Sequence, residues 1–136
     1  VISVSIGQGE ILATPLQMAN LAATIANRGY FYTPHVVKEI QDTVLPDVYT
    51  KKRRPSIEQK YYQEIAEGMR MAVAGGTCRN AQFGDVEVCG KTGTSQNPHG
   101  RDHSAFMGFA PMDKPKIAIV VYVTHRRTDD GKISER

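Results

Sequence analysis

One lysine, two threonines and two glycines run together at Gly90-Lys91-Thr92-Gly93-Thr94. Val86-Glu87-Val88-Cys89, just before them, alternates apolar and polar types, so the run sits at the end of a strand. A strand edge of this composition can hold an anion. Lys91 supplies positive charge, Thr92 and Thr94 donate hydrogen bonds, and Gly93 lets a ligand backbone approach closely. Five such residues also fit an ordinary strand end with a solvated lysine, so the surrounding chain has to decide between the two.

The loop that borders this strand, Asn97-Pro98-His99-Gly100-Arg101-Asp102-His103, adds further polar chemistry. Arg101 and His103 are placed to contact a substrate, and Asp102 to order the loop through backbone hydrogen bonds. His99, Asp102 and His103 are metal-ligand types, but a polar loop is the commoner use of them, and no metal is expected. Cys78 and Cys89 flank a turn rich in Gly, Asn and Asp. They are too few for a zinc site alone. They read either as a disulfide in an oxidising compartment or as two small buried residues.

Two helical patterns and three strands must position these groups. Ser5-Ile6-Gly7-Gln8-Gly9-Glu10 is a Gly-rich loop, with Gln8 set to brace the scaffold rather than react. Thr14 then caps a helix whose first position is Pro15, where a missing N–H is harmless. Leu16, Ala19, Ala23 and Ala26 recur at helical spacing, and Met18, Leu21, Ala22 and Ile25 make the helix apolar nearly all round, which predicts deep burial. Asn27-Arg28-Gly29 ends it, with Gly29 as the left-handed cap. Val36 to Ile40 reads as an extended segment or short strand, and Asp42 to Tyr49 offers room for another short strand. Ser56 caps another helix from Ile57 to Ala74, with Tyr61, Ile65, Met69 and Ala72 on one stripe and Tyr62, Ala66 and Val73 beside it. Residues 77–85 form a turn-rich connection, and the Lys91 strand follows. A polar loop from Ser95 to Asp102 leads to a strand from His103 to Ala110. Pro111 to Pro115 forms a tight turn. Lys116 to Thr124 is the most apolar strand, and its unbroken run suggests a central position covered on both sides. The expected fold is α+β: an antiparallel sheet of three C-terminal strands packed against helices.

Composition agrees with a packed domain. Of 136 residues, 40% are hydrophobic and 23% charged, enough apolar content to exclude a disordered chain. No stretch approaches the length of a membrane span, and no signal peptide opens the chain. The net charge of +3 is modest, with four cations together at Lys51-Lys52-Arg53-Arg54. A basic run can serve a nucleic-acid-binding module, but Pro55 directly after it favours a solvated loop, and no nucleic acid partner is expected.

Three segments together resemble one family. Ser5-Ile6-Gly7-Gln8-Gly9 followed by Ala13-Thr14-Pro15-Leu16-Gln17-Met18-Ala19 is similar to the helix-entry segment of class B penicillin-binding proteins. Gly90-Lys91-Thr92-Gly93-Thr94 resembles their third active-site motif. Arg101-Asp102-His103, Phe109-Ala110-Pro111 and Pro115-Lys116-Ile117-Ala118 resemble the elongation-type members. The resemblance covers residues 3 to about 124 and implies a penicillin-binding, serine β-lactamase-like transpeptidase fold. Residues 1–124 would be the C-terminal part of a transpeptidase domain and 125–136 a loose polar tail.

The family's nucleophile lies in a Ser-x-x-Lys motif, and no serine here has a lysine three positions later. Its second motif is Ser-x-Asn. Ser95-Gln96-Asn97 has that pattern but follows Lys-Thr-Gly instead of preceding it, so it is set aside as coincidence. Both motifs are therefore expected upstream, together with an anchor to the periplasmic face of the bacterial inner membrane. The family's closing helix after the last strand has no counterpart in the apolar pattern of 125–136, so one sheet face is expected to be poorly covered.

The resemblance implies acyl transfer between peptidoglycan stem peptides, donor and acceptor, with β-lactam antibiotics as donor mimics and elongation-machinery proteins as partners of the parent. No cofactor is implied. Lys91 would place charge beside the second-motif serine and the substrate carboxylate, and Thr92 and Thr94 would offer hydroxyls to that carboxylate. The Thr94 backbone N–H would be one oxyanion-hole donor. Gly93 would let the donor peptide lie along the strand edge. The chain alone is expected to be inactive. A serine β-lactamase or β-lactam sensor also carries Lys-Thr-Gly, but the Gly7-Gln8-Gly9 and Thr14-Pro15-Leu16-Gln17 segments speak against it.

Overall fold

The computed structural model describes residues 2–5, 7, 11–97, 101–127 and 133–135. A short helix α1 (Ile2–Ser5) precedes helix α2 (Pro15–Ala26), a single turn α3 (Asp47–Thr50) and helix α4 (Lys60–Ala74). A 3₁₀ turn at Arg79–Ala81 leads into strands β1 (Cys89–Ser95), β2 (His103–Ala110) and β3 (Ile117–Val123). These form one antiparallel sheet in the order β1-β2-β3, with α2 packed on β2 and β3 and α4 packed on β1. The expected mixed α+β architecture is present.

Helix α2 starts as its sequence predicts. Gln17 N–H donates to Thr14 Oγ1 at 3.2 Å while Thr14 N–H donates to Gln17 Oε1 at 2.8 Å, a reciprocal capping box with Pro15 at the first helical position. Its end differs by one residue from expectation. Arg28, not Gly29, is the first left-handed residue (φ 55°). Its N–H donates to the Ile25 carbonyl (3.0 Å) while Gly29 N–H donates to the Thr24 carbonyl (2.9 Å), a Schellman closure. Gly29 (φ 100°) is needed for space as well, because a Cβ there would stand 2.7 Å from Tyr62 Cε2. Only the second half of α2 is deeply buried, through Ala22, Thr24, Ile25 and Ala26. Leu16 and Leu21 stay exposed because no element covers the outer side of its first turns among the described residues.

Helix α4 begins three residues later than predicted. Residues 56–59 lie outside the helix, and Gln59 takes the N-cap position without a side-chain cap bond. Its inner stripe is Tyr62, Ala66, Met69 and Val73. Tyr61 and Ile65, predicted inside, lie on the exposed shoulder of that stripe. The core joins Ile25 and Ala26 of α2, Tyr62, Ala66 and Met69 of α4, and Cys89, Phe109 and Met112 from the sheet side. Cys78 and Cys89 are both buried and free, so the disulfide alternative fails and the small-buried-residue reading stands. Burial pushes the Cys89 thiol up to about 11.

Three strand expectations are corrected. Neither Val36 to Ile40 nor Asp42 to Tyr49 holds a strand: an isolated bridge joins Ile40 and Thr43, and Asp47 opens α3. The β3 strand lies at the edge of the three-stranded sheet, and β2 is the central strand. An apolar run marks burial on two faces or an edge with one bare face equally well, and here Ile117, Ile119 and Val121 face outward, exposed. The poorly covered face expected from the sequence is this one. In the basic loop, Lys51 pairs with Asp47 at 2.5 Å, Lys52 and Arg54 sit over the Tyr30 ring (4.4 and 5.9 Å), and Arg53 over Phe31 (5.8 Å). The segment expected as a polar tail carries β4 (His125–Arg127) and β5 (Ile133–Glu135), paired antiparallel. No helix among the described residues is long and apolar enough to cross a membrane.

Candidate functional site

Lys91, Thr92, Gly93 and Thr94 lie in the middle of β1, the strand at one end of the three-stranded sheet. Register is set by β2: Lys91 opposes Met107, Thr92 Phe106, Gly93 Ala105, Thr94 Ser104 and Ser95 His103. Ser95 is thus part of the strand, not the start of the loop. Strand alternation puts Lys91 and Gly93 on the face of fully buried Cys89, and Thr92 and Thr94 on the opposite face with Gly90. All four are reachable together only by a ligand laid along the strand edge.

The base of the strand is fixed tightly. Gly90 opposes Gly108, and the Phe106 ring lies across both. A Cβ on Gly90 would meet Phe106 Cε2 at 2.5 Å, and one on Gly108 would meet Phe106 Cζ at 2.9 Å. Beyond this point the strand opens to solvent: Lys91, Gly93 and Thr94 are exposed and Thr92 is half-buried. Lys91 Nζ donates to the Thr92 carbonyl at 2.6 Å, and Thr92 Oγ1 donates to Thr77 Oγ1 at 3.3 Å.

An open cleft of 380 Å³ runs beside this strand. One wall is Gly93, Thr94 and Ser95 with Ala105 and Tyr122, and the other is Gly7, Ile11, Leu12, Ala13, Pro15 and Met18 at the entry of α2. The capped start of α2 and the Gly93-Thr94-Ser95 end of β1 therefore face one another across a single groove. Gly7 turns through a left-handed backbone (φ 76°), while Gln8 and Gly9 lie outside the described residues.

The bordering loop is held as its composition suggests. Asn97 N–H donates to Asp102 Oδ1 at 3.1 Å, and Asn97 Nδ2 donates to the Arg101 carbonyl at 3.2 Å. Arg101 is exposed, and the His103 ring stands 5.8 Å from that of Tyr122, which lines the cleft. His99 lies outside the described residues, and no cluster of three metal-ligand side chains occurs among those described. Sequence reasoning missed Thr77 and Tyr122. Thr77 gave no signal beyond its place after Gly75-Gly76, and Tyr122 was counted only as part of an apolar strand. The arrangement offers a cation, hydroxyls and a peptide edge to a carboxylate-bearing, extended ligand, and the chain carries no Ser-x-x-Lys nucleophile motif.

The sequence profile of the penicillin binding protein transpeptidase domain matches residues 1–136. The peptidoglycan D,D-transpeptidase MrdA of Acinetobacter baumannii is 34% identical over 141 aligned residues, which cover 88% of this chain and 20% of that protein. Pseudomonas aeruginosa PBP2, solved in complex with WCK 5153, superposes with a TM-score of 0.75 at 36% identity, over 88% of this chain and 27% of that one. Penicillin-binding protein A of M. tuberculosis, solved as an imipenem acyl-enzyme complex, superposes with a TM-score of 0.74 at 30% identity, over 88% and 28%. The chain spans about a fifth of the length of the curated relative.

Proposed function

Since the chain belongs to the penicillin binding protein transpeptidase domain family, in the class B, PBP2-type group, we propose that it forms the carboxylate-gripping part of a peptidoglycan D,D-transpeptidase. In the parent, a serine oxygen outside this chain attacks the carbonyl between two terminal D-alanines of a donor stem peptide. The C–N bond breaks, D-alanine leaves with the proton, and an acceptor amine then takes the acyl group and frees the serine. β-Lactam antibiotics enter as donor mimics. The imipenem acyl-enzyme of the M. tuberculosis neighbour supports this. The parent works at the periplasmic face of the inner membrane with elongation-machinery proteins, as its likeness to PBP2 suggests.

The roles follow from the edge position of β1. Lys91 draws the donor carboxylate, and Thr92 and Thr94 donate hydroxyls to it. Gly93 admits the donor backbone as an added strand. In a strand, N–H and C=O groups two residues apart point to the same edge, so the Thr94 N–H shares the edge of the Thr92 carbonyl that holds the Lys91 ammonium. That N–H is one oxyanion-hole donor. Arg101 of the bordering loop and His103 at the start of β2 contact the stem peptide. The single observation that carries the reading is that Lys91 and Thr94 lie exposed on an edge strand whose Gly93, Thr94 and Ser95 face the α2 entry across one cleft.

The test is Lys91→Ala in the full-length enzyme, with acylation by a fluorescent penicillin as the readout. A loss on the order of 100-fold is expected, the scale of removing one preorganised electrostatic donor. Acylation at the wild-type rate overturns the reading.

A further inference from the structure

The Thr92 hydroxyl has a neighbour that the roles above leave unused. Thr77 Oγ1 lies 3.3 Å away, across a separation of 15 residues, and Thr92 is the donor. Thr77 sits in the turn that closes α4, and that turn is held from the helix. Gly75 N–H donates to the Met71 carbonyl at 3.2 Å and Cys78 N–H to the Ala72 carbonyl at 2.9 Å. Gln82 Nε2 reaches back to the Val73 and Ala74 carbonyls at 3.1 and 3.0 Å. Cys78 is buried beside it. The Thr77 hydroxyl is thus fixed by α4 and brought to β1 by tertiary packing, with Val73 Cγ2 3.4 Å from where a Gly90 Cβ would be.

A hydroxyl has one proton and two lone pairs. While Thr92 donates to Thr77, it has no proton left for an anion. Rotation of both O–H bonds reverses the direction without moving a heavy atom. Thr77 then donates to Thr92, and Thr92 donates onward. A hydroxyl that accepts a hydrogen bond is polarised and becomes a better donor. Thr92 is β-branched, so one firm contact at Oγ1 also selects its rotamer.

We infer that Thr77 is a positioning residue for the carboxylate clamp. It reverses its hydrogen bond on ligand binding to form a Thr77–Thr92–carboxylate chain, and so favours ligands with a free terminal carboxylate. The inference rests on the reading of Thr92 as a carboxylate ligand. Thr77 itself touches no substrate.

The experiment uses the full-length enzyme and four variants: Thr77→Val, Thr77→Ser, Thr92→Val and the double Thr77→Val/Thr92→Val. The second-order acylation rate is measured with a penicillin and with its methyl ester, which lacks the carboxylate charge. Thr77→Val is expected to slow the free acid roughly 3- to 10-fold, the scale of one hydrogen bond, and to spare the ester. Thr77→Ser restores the rate, and the double variant is no slower than Thr92→Val alone. If Thr77→Val leaves the free acid unchanged while Thr92→Val slows it, the inference falls and the clamp stands. An equal loss for acid and ester marks a merely structural role and also overturns the inference. If neither single variant changes the rate, the clamp reading itself is overturned. Thr77→Ala, which adds no bulk, takes the place of the valine variant should that one unfold.

Discussion

Arg28 Nη2 donates to the Met112 carbonyl at 3.3 Å and so joins the end of α2 to the turn between β2 and β3. The same guanidinium donates through Nη1 to the Ile25 and Ala26 carbonyls (3.2 and 2.9 Å) and through Nε to Gln63 Oε1 of α4 (2.8 Å). It also stands 5.9 Å from the centroid of the fully buried Phe109 ring. One side chain, on a left-handed backbone, thus ties both helices to the sheet. Arg28→Ala is expected to cost about 1–3 kcal/mol, because it leaves part-buried carbonyls without a donor. The check is a lower urea midpoint at unchanged slope. Arg28→Lys recovers little of the loss, since an ammonium lacks the planar fork that reaches several acceptors at once.

Gly90→Ala is expected to perturb the site without touching its polar groups. The new Cβ collides with the Phe106 ring, and overpacking of this kind costs about 1–3 kcal/mol. Lys91 is the next residue, so acylation of the full-length enzyme falls as well. Phe106→Leu on the Gly90→Ala background gives room and restores part of both. A Gly90→Ala protein with unchanged melting and acylation counts against the close packing of this rung.

The capping box predicts a local effect on the cleft wall. Thr14→Ala removes the acceptor of the Gln17 N–H, at about 1 kcal/mol, and leaves only the reciprocal bond from the residue 14 N–H to Gln17 Oε1. Ala13 and Pro15 line the groove, so hydrogen exchange at residues 11–18 should rise in this variant while the α4 amides keep their protection.

Cys89 gives a pH signature. Its thiol is raised from 9.0 to about 11, chiefly by burial, with Arg28 opposing. The unfolded chain loses this proton first as pH rises, so stability is flat below about pH 9 and declines from there toward pH 11. Cys89→Ala flattens that alkaline decline. Ellman's reagent should find neither Cys78 nor Cys89 in the folded protein and both after denaturation.

These 136 residues on their own should not be covalently labelled by a penicillin, because they contain no Ser-x-x-Lys motif. Stable labelling, read by mass spectrometry as an added acyl group, would place a nucleophile inside this chain and overturn that expectation.

How far the sequence could be read depended on where each contact originates. The start of α2 was legible because Thr14, Pro15 and Gln17 act within one turn. Its end shifted because Arg28 adopts a left-handed backbone held by bonds to Gln63 and Met112, neither of them local. The strands β2 and β3 were legible between their turns, but β1 was only half so: of the alternating Val86 to Cys89, Val86 makes an isolated bridge with Phe83 and only Cys89 belongs to the strand that runs on to Ser95. The edge place of β3 was not legible, since Ile117 to Val121 reads the same whether one face or both are covered. Between Tyr30 and Gln59 the chain is ordered by a Phe31–Arg53 bridge and by cations over rings, which leave no periodicity to find. Lys91 to Thr94 stood out by type alone, but the Thr77 contact and the wall formed by Ile11 to Met18 exist only once α4 and α2 are packed.

The outward ladder of Ile117, Ile119 and Val121 bears on how this chain is handled in the laboratory. Three branched side chains on a strand that ends its sheet make an adhesive stripe beside peptide groups that no other strand pairs among the described residues. Expressed by itself, the polypeptide will self-associate along that stripe as its concentration rises. Changing Ile119 to lysine, on the side away from the groove, is the simplest way to keep it monomeric without disturbing Lys91.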